Sequence, residues 1–208
     1  MQDGQAGSHN RYIAFEGIEG AGKSTVAARI ADHLTAAGES VVVVREPGGT
    51  EVGEHIREIL LGGDHAPVAM AEAALFAAAR AQLIAEKVTP ALDSGSWVLS
   101  DRSVYSSLAY QAAGRGLDLE DIRKLNDVAL GGIWPQVVVL LRLDAGTGLA
   151  RQAVGDRIGD EPREFHTTVA EAFDMLAEQD PDRFVVIDAA ADPLDVVGQV
   201  LDALGVER

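Results

Sequence analysis

A Gly-rich stretch near the start of the chain constrains its fold more than any other feature. Residues 17–24 read Gly-Ile-Glu-Gly-Ala-Gly-Lys-Ser and match the pattern G-x-x-x-x-G-K-[ST] at every fixed position. The apolar run 12–15 predicts a buried strand before the loop, and apolar residues at helical spacing follow from Ser24 to Ala37. Such a loop turns its backbone N–H groups around an anion at the start of a helix. It predicts a nucleoside triphosphate site; the alternative is a Gly-rich turn of purely structural use.

Two side chains of this loop have distinct predicted tasks. Lys23 can reach the β- and γ-phosphates, and the Ser24 hydroxyl can bind Mg²⁺. We expect the loop to contact the triphosphate through the following residues: Gly17, Ile18, Glu19, Gly20, Ala21, Gly22, Lys23, Ser24 and Thr25.

The composition is that of a globular chain with an acidic surface. The 208 residues have a formal net charge of −16, which argues against a nucleic-acid polymer as partner because phosphate backbones need a basic surface. Cysteine is absent, and no apolar run is long enough to span a bilayer. Residues 1–10 are polar, lack a signal pattern and are expected to form a disordered tail. These features favour a cytoplasmic protein without a membrane partner.

Short apolar runs alternate with helical patterns along the chain, which predicts an α/β fold with a parallel sheet. Five runs have the continuous Val, Ile and Leu content of strands covered on both faces: 12–15, 41–44, 97–99, 137–143 and 184–187. Further helical patterns cover 52–61, 69–88, 103–113, 119–130, 163–178 and 193–204. We expect one domain over residues 11–208, in which the polar, Gly-containing stretch 155–162 is the candidate for a mobile flap.

Charged side chains follow two predicted strands, at the edge where parallel sheets bind ligands. Asp101 ends the third apolar run, and a carboxylate there commonly supports Mg²⁺ beside a phosphate loop. Arg102 follows and is expected beside the phosphates; a surface Asp–Arg pair is the alternative. After the second run, Arg45 can meet a phosphate, and Pro47 shapes a rigid turn. Without the neighbouring motifs, residues 45–50 would be interpreted only as a structural turn.

A ring and a guanidinium lie four residues apart on the Ala-rich helical pattern, at Phe76 and Arg80, and therefore share a face. Such a pair suits a flat base, which the ring can stack on and the guanidinium can bond. On the next pattern, Gln111 can read a base edge and Tyr110 can contact a sugar, with Ser107 nearby. The alternatives are a core Phe beside a surface Arg, and a solvated helical face. The histidines have no metal-site spacing and are interpreted as solvated or core side chains.

Together these segments resemble bacterial thymidylate kinase over nearly the whole chain, from about Tyr12 to Leu204. The resemblance is carried by Phe15-Glu16-Gly17-Ile18-Glu19-Gly20-Ala21-Gly22-Lys23-Ser24, Arg45-Glu46-Pro47-Gly48-Gly49-Thr50, Leu75-Phe76-Ala77-Ala78-Ala79-Arg80, Ser100-Asp101-Arg102, Ala109-Tyr110-Gln111 and Asp156-Arg157-Ile158. It implies a three-layer P-loop fold with five parallel strands in the order 2-3-1-4-5, helices on both faces and a small mobile lid. It also implies transfer of the γ-phosphoryl group of ATP to dTMP in dTTP biosynthesis, with Mg²⁺, by a homodimer.

For dTMP, the resemblance implies that Phe76 stacks on thymine and that Arg80 bonds its exocyclic oxygen. Tyr110 would crowd the 2′ position and favour deoxyribose, and Glu19 would contact the 3′-hydroxyl or the metal's water shell. Arg45 and Arg102 would hold the phosphate. The implied dTMP-binding set is Glu19, Arg45, Pro47, Phe76, Arg80, Arg102, Ser107, Tyr110 and Gln111.

The resemblance also implies which residues act on the transferring group. Gly20 and Ala21 stand where one design of the family places a catalytic Arg, so the chain resembles the other design, whose arginines come from a lid, here residues 153–163. Within the lid we expect Arg157 to act, while Arg151 binds ATP and Arg163 is a further candidate. The implied catalytic set is Lys23, Arg102, Arg157 and Glu19, and the implied metal ligands are Ser24 and Asp101.

Two other classes of function stay open from the sequence. A kinase of the same fold that acts on another nucleotide or deoxynucleoside would not need Phe76 and Arg80 to face a pyrimidine. A P-loop ATPase or nucleotide-binding switch would hydrolyse its nucleotide without an acceptor. The guanine-switch signature Asn-Lys-x-Asp does not occur in the chain.

Overall fold

One parallel sheet with helices on both faces forms the body of the molecule. The computed structural model describes residues 11–62, 66–151 and 155–206. The five strands are β1 Tyr12–Glu16, β2 Val41–Arg45, β3 Trp97–Asp101, β4 Val137–Arg142 and β5 Phe184–Asp188. Their order in the sheet is β2-β3-β1-β4-β5, which confirms the predicted fold. The predicted tail, 1–10, and the first residues of the predicted lid, 153–154, lie outside the described residues.

Helices connect the strands and cover the sheet. They are α1 Lys23–Ala36, α2 Glu51–Leu61, α3 Ala69–Leu83, α4 Thr89–Asp93, α5 Val104–Ser107, α6 Leu119–Leu130, α7 Ala145–Arg151, α8 Arg163–Gln179 and α9 Pro193–Leu204. α1 packs with α9, whereas α8 packs against the segment that follows α5, and α3 packs between α2 and α6. The sheet is therefore enclosed, which is why its strands have nearly continuous apolar sequences.

The sheet register brings the candidate site residues to one edge. Phe15 of β1 and Arg45 of β2 both pair with Asp101 at the end of β3. The carboxyl ends of three neighbouring strands therefore lie side by side, where ligands bind in open α/β sheets. Each strand leads directly into one of the predicted segments: the phosphate loop, the Arg45–Thr50 turn and Arg102.

The helical boundaries differ from the sequence prediction in four places, one of which is helix α4, Thr89–Asp93, beyond the end of the predicted helix 69–88. The predicted helix 69–88 ends as an α-helix at Leu83 and continues as a π-helical segment, Ile84–Val88. The predicted helix 103–113 likewise changes into a π-helical segment, Leu108–Gly114, and this wider turn contains Tyr110 and Gln111. Helix α7 was not predicted, because two glycines weaken its helical pattern. Its start is stabilised by the Asp144 carboxylate, which accepts from the backbone N–H of Thr147 at 3.1 Å.

Candidate active site

The loop between β1 and α1 has the backbone geometry of an anion cradle. Gly22, just before α1, has a φ of 90°, and Gly20 has a φ of 73°, values that glycine adopts without strain. A Cβ at Gly20 would also lie 2.1 Å from the carbonyl oxygen of Gly148 in α7, so this close approach requires glycine. Lys23 donates from Nζ to the carbonyl oxygen of Ile18 at 2.7 Å. Burial and the neighbouring charge of Arg102 lower the pKa of Lys23 to about 8.

Ser24 and Asp101 lie together, as a shared metal site requires. The Ser24 hydroxyl donates to the Asp101 carboxylate between the first turn of α1 and the end of β3. Hydroxyl and carboxylate oxygens are ligands that suit Mg²⁺. Within the described residues there is no group of three or more His, Cys, Asp or Glu side chains that could hold a metal. A metal here would therefore take its other ligands from phosphate and water, as Mg²⁺ does in phosphoryl-transfer sites.

Arg102 is the centre of an ion-pair cluster beside the loop. Its φ of 72° is a left-handed conformation that costs a non-glycine residue energy and is a recurring feature of functional sites. The guanidinium donates to the carbonyl oxygen of Gly17 at 3.2 Å and to Oε1 of Glu19 at 2.7 Å. The Tyr110 hydroxyl donates to the same Glu19 carboxylate at 2.8 Å. The structure thus brings together three residues that the sequence assigned to the site: Glu19, Arg102 and Tyr110.

A buried histidine completes this cluster. His166 of α8 is fully buried, and its Nδ1 lies 3.1 Å from Oε2 of Glu19, off the line of an ideal hydrogen bond. Glu19 raises the pKa of His166, against the opposing effect of burial. Burial alone would raise the pKa of Glu19, but Arg102, His166 and Lys23 outweigh it and hold that pKa well below its usual value. Glu19 is therefore ionised at neutral pH. The sequence indicated only a core or solvated role for His166 and did not predict its contact with Glu19.

A cleft of about 260 Å³ opens beside the cluster. Its lining includes three cations, Lys23, Arg57 and Arg102. It also includes three side chains suited to a base or sugar, Phe76, Tyr110 and Gln111. Concave sites of this kind, in which a few polar groups converge beside an aromatic ring, are typical ligand sites. The combination suits a ligand with a phosphate at one end and a flat ring at the other.

Arg80 and Ser107 lie behind the wall of this cleft. Arg80 is 1% exposed, and its Nη2 lies 2.6 Å from the carboxylate of Glu46, a residue of the cleft lining. Arg80 also donates to the backbone oxygen of Ser103 at 3.0 Å and to the Ser107 hydroxyl at 3.1 Å. In this structure the charged partner of Arg80 is therefore Glu46, and the side-chain oxygens of Ser107 and Asn126 also accept from Arg80.

Of the two arginines expected at the dTMP phosphate, Arg102 lines the cleft and Arg45 does not. Arg45 is half exposed, pairs with Glu54 at 2.7 Å and lies outside the lining of the cleft. Arg57 lies on α2, one turn after Glu54. It lines the cleft and donates to the carbonyl oxygen of Pro47 at 2.9 Å. Sequence reasoning missed Arg57 because its position depends on how α2 packs against α3. Nothing in its local pattern distinguishes it from a surface arginine.

The three candidate lid arginines have other partners. Arg157 donates from Nη2 to the Glu72 carboxylate at 2.6 Å and from Nε to a backbone oxygen of α2 at 2.8 Å. Arg151 donates to the backbone oxygen of Ala189 at 3.0 Å. The exposed Arg163 is 3.9 Å from Asp144. Each arginine would have to leave its partner to reach a phosphoryl group on the loop.

Comparison with known proteins decides the family. The thymidylate kinase family model matches residues 15–200. The chain is 46% identical over 190 residues to the thymidylate kinase of Synechococcus sp. (strain JA-3-3Ab), covering 91% of this chain and 92% of that protein. The chain belongs to the thymidylate kinase family. A family member from Thermomicrobium roseum is also 46% identical, over 186 residues and 88% of both chains.

A solved structure of a thymidylate kinase shares the fold as well. The thymidylate kinase from Ehrlichia chaffeensis superposes with a TM-score of 0.76 at 29% identity, covering 92% of this chain and 97% of that one. The family resemblance drawn from the sequence is confirmed, and with it the assignment as a kinase that uses ATP and dTMP. Among the described residues, no helix is both long enough and apolar enough to cross a membrane.

Proposed function

We propose that this cleft is where the γ-phosphoryl group of ATP passes to dTMP, giving dTDP and ADP. The observation that carries this proposal is that Lys23 of the phosphate loop and Arg102, just after β3, line the same cleft as Phe76 and Gln111. Phosphoryl transfer requires two nucleotides in line, positive charge around the moving group and exclusion of water. The acceptor oxygen of dTMP is already anionic, so no strong general base is needed.

At the donor end, Lys23 and the loop amides would hold the phosphates of ATP. Lys23 would exchange its bond to Ile18 for phosphate oxygens, and the added negative charge would raise its lowered pKa again. Ser24 and Asp101 would hold Mg²⁺, which would supply positive charge to neutralise the phosphates of ATP. Thr25 follows Ser24 in the first turn of α1, where its backbone N–H can face the α-phosphate.

At the acceptor end, Phe76 would stack on thymine while Gln111 bonds the edge of the base. Tyr110 and Glu19, which bond each other, would border the sugar and favour deoxyribose over ribose. Arg102 lies beside the loop and would hold the dTMP phosphate against the donor. Arg57 is better placed than Arg45 to contact that phosphate, because Arg57 lines the cleft.

Two predicted arginine roles require movement from the present arrangement. Arg80 can reach a thymine oxygen only if its guanidinium shares or exchanges its bond with Glu46. Arg157 can act on the transferring phosphoryl only after leaving Glu72. A lid that closes after both nucleotides bind would supply that movement and would also exclude water.

A panel of acceptors tests the function directly. Purified protein, ATP and Mg²⁺ would be incubated with dTMP, dUMP, UMP, CMP, AMP or GMP, and ADP release would be measured for each. We expect dTMP to be preferred, with dTDP as the product, and little ADP to form without an acceptor. Preference for another monophosphate would favour the related kinase, and rapid ATP hydrolysis without an acceptor would favour an ATPase.

We also propose that the protein is a cytoplasmic homodimer. Exposed apolar side chains support a dimer interface on three neighbouring helices: Ile59 on α2, Met70 on α3 and Val128 on α6. Val128 is 84% exposed, and patches of this kind mark interaction surfaces. We expect Val128→Glu to give a monomer in size-exclusion chromatography with light scattering. Leu194→Glu, on the exposed face of α9, is the matched control and should leave the dimer intact. A monomeric wild-type protein would contradict the proposal.

A further inference from the structure

Glu72 is a buried carboxylate to which neither the sequence analysis nor the proposed reaction assigns a role. It lies in the first turn of α3, is 1% exposed and does not line the cleft. Its carboxylate accepts from Gln111 Nε2 at 2.9 Å, from Arg115 Nε at 3.1 Å and from Arg157 Nη2 at 2.6 Å. Burial would raise the pKa of Glu72, but these three donors outweigh it and lower the pKa below its usual value. Glu72 is therefore an ionised acceptor with no proton to donate.

This charge state fixes the orientation of the Gln111 side chain. An ionised carboxylate only accepts hydrogen bonds, so the amide must turn its NH₂ group toward Glu72. The amide carbonyl then points away from Glu72. Gln111 is 1% exposed, so its amide cannot relieve a wrong orientation by turning into solvent. Rotation by 180° would place the carbonyl oxygen against the Glu72 carboxylate, which leaves two buried acceptors facing each other.

The orientation of an amide decides which base edge it can bond. A carbonyl oxygen accepts from the ring N3–H of thymine or uracil, whereas cytosine has an unprotonated N3 that needs a donor. We propose that Glu72 is a positioning residue for base recognition, which orients the Gln111 amide to accept from a ring N–H and to reject cytosine. This inference rests on the proposed placement of the dTMP base beside Phe76 and Gln111.

The same carboxylate also connects the base site to the predicted lid. Oε1 accepts from Gln111 Nε2 and Arg115 Nε, while Oε2 accepts from Arg157 Nη2 and, at 3.3 Å, from Arg115 Nη2. Arg157 is followed by the buried cleft residue Ile158. Arg115 bonds Glu161 as well. Glu72 therefore has two kinds of partner: the charged guanidinium groups of Arg115 and Arg157, and the neutral amide of Gln111. The orientation of Gln111 can therefore be separated experimentally from the charge pairing by changing either side alone.

The test measures base preference rather than activity alone. Glu72→Gln keeps the size of the side chain but can donate to the Gln111 carbonyl, so the Gln111 amide is free to turn. We expect kcat/KM for dTMP to fall by roughly tenfold, mainly through the KM for dTMP. The ratio of kcat/KM for dTMP to that for dCMP should narrow by at least about tenfold, while the KM for ATP changes little.

Arg115→Met is the matched control. It removes one ion-pair partner of Glu72 and leaves the bond to Gln111 in place, so it should retain the wild-type dTMP to dCMP ratio within about twofold. If Arg115→Met narrows the ratio as much as Glu72→Gln does, the effect is a general loosening of the site and the proposal is wrong.

Further outcomes distinguish a failure of the Glu72 proposal from a failure of the proposed kinase function. An unchanged dTMP to dCMP ratio in a folded Glu72→Gln enzyme overturns the role of Glu72 but leaves the kinase function standing. If Glu72→Gln fails to fold, Glu72→Asp keeps a carboxylate at this position but shortens the side chain by one methylene, which lengthens its contact with Gln111. Glu72→Asp should then narrow the ratio of kcat/KM for dTMP to that for dCMP. A wild-type ratio in this variant would overturn the proposal. A wild-type protein that makes no dTDP would instead overturn the proposed function.

Discussion

The buried pair formed by Arg80 and Glu46 should make a large contribution to folding as well as to dTMP binding. The guanidinium Nη2 lies 2.6 Å from the Glu46 carboxylate, and the two side chains are 1% and 4% exposed. Removing one partner of such a pair leaves a buried charge without compensation, which typically costs about 3–5 kcal/mol. Arg80→Met should therefore lower the free energy of unfolding by that amount, out of the roughly 5–15 kcal/mol expected for a domain.

The size of this loss should depend on pH and on the state of Glu46. Burial raises the pKa of Glu46, and Arg80 opposes that rise. Without Arg80 the folded protein would bind a proton at Glu46, so the deficit of Arg80→Met should shrink as the pH falls and grow as it rises. In the double variant Arg80→Met with Glu46→Gln, neither position of the pair carries a charge. The double variant should therefore lose less unfolding free energy than the sum of the two single variants, by about 1–3 kcal/mol.

Urea unfolding followed by circular dichroism would measure these free energies, and calorimetry would measure dTMP and ATP binding. For variants that fold, we expect dTMP binding to weaken far more than ATP binding, because Arg80 shares a helix face with Phe76, the residue proposed to stack on thymine. The reasoning is refuted if Arg80→Met unfolds within about 1 kcal/mol of the wild type or if the double variant shows simple additivity. Equal losses for dTMP and ATP would mean that Arg80 is not at the base site.

Two further perturbations test the phosphate loop and the buried histidine. Lys23→Ala should reduce kcat by about 10³–10⁵, because a cation at the transferring group is worth that much; near-normal turnover in a coupled ADP assay would contradict the loop assignment. His166 has a folded-state pKa raised by Glu19, so its stabilising contribution is complete below its unfolded pKa of about 6.5 and is lost as the pH rises through the folded value. His166→Asn, which keeps a neutral donor toward Glu19, should flatten this decline in urea midpoints, and an unchanged slope would exclude the pair as its cause.

Much of the fold could be predicted because its signals are local. Each strand is a short apolar run, and five such runs alternating with helices imply a parallel sheet. The phosphate loop, which includes Ser24, could be proposed from a contiguous motif, and Asp101 from its position at the end of a predicted strand. The π-helical segments were not predicted, since they differ from α-helix by one residue per turn and leave the apolar pattern almost unchanged.

Long-range contacts explain the residues that the sequence could not place. His166 meets Glu19 across 147 positions of sequence, and Glu72 meets Arg157 across 85. Neither pair has a local pattern, because the partner is chosen by how α8 and the lid segment pack on the rest of the molecule. Arg57 became a cleft residue for the same reason.

The amino-acid sequence by itself determined the sheet, the phosphate loop and the thymidylate kinase family, because backbone turns and apolar periodicity are properties of neighbouring residues. Only the tertiary structure decided which charged groups face one another. It buried Arg80 against Glu46, placed His166 beside Glu19 and set Glu72 behind Gln111. Charge, burial and hydrogen-bond direction act through space, so these partners became visible only once the helices were packed around the sheet.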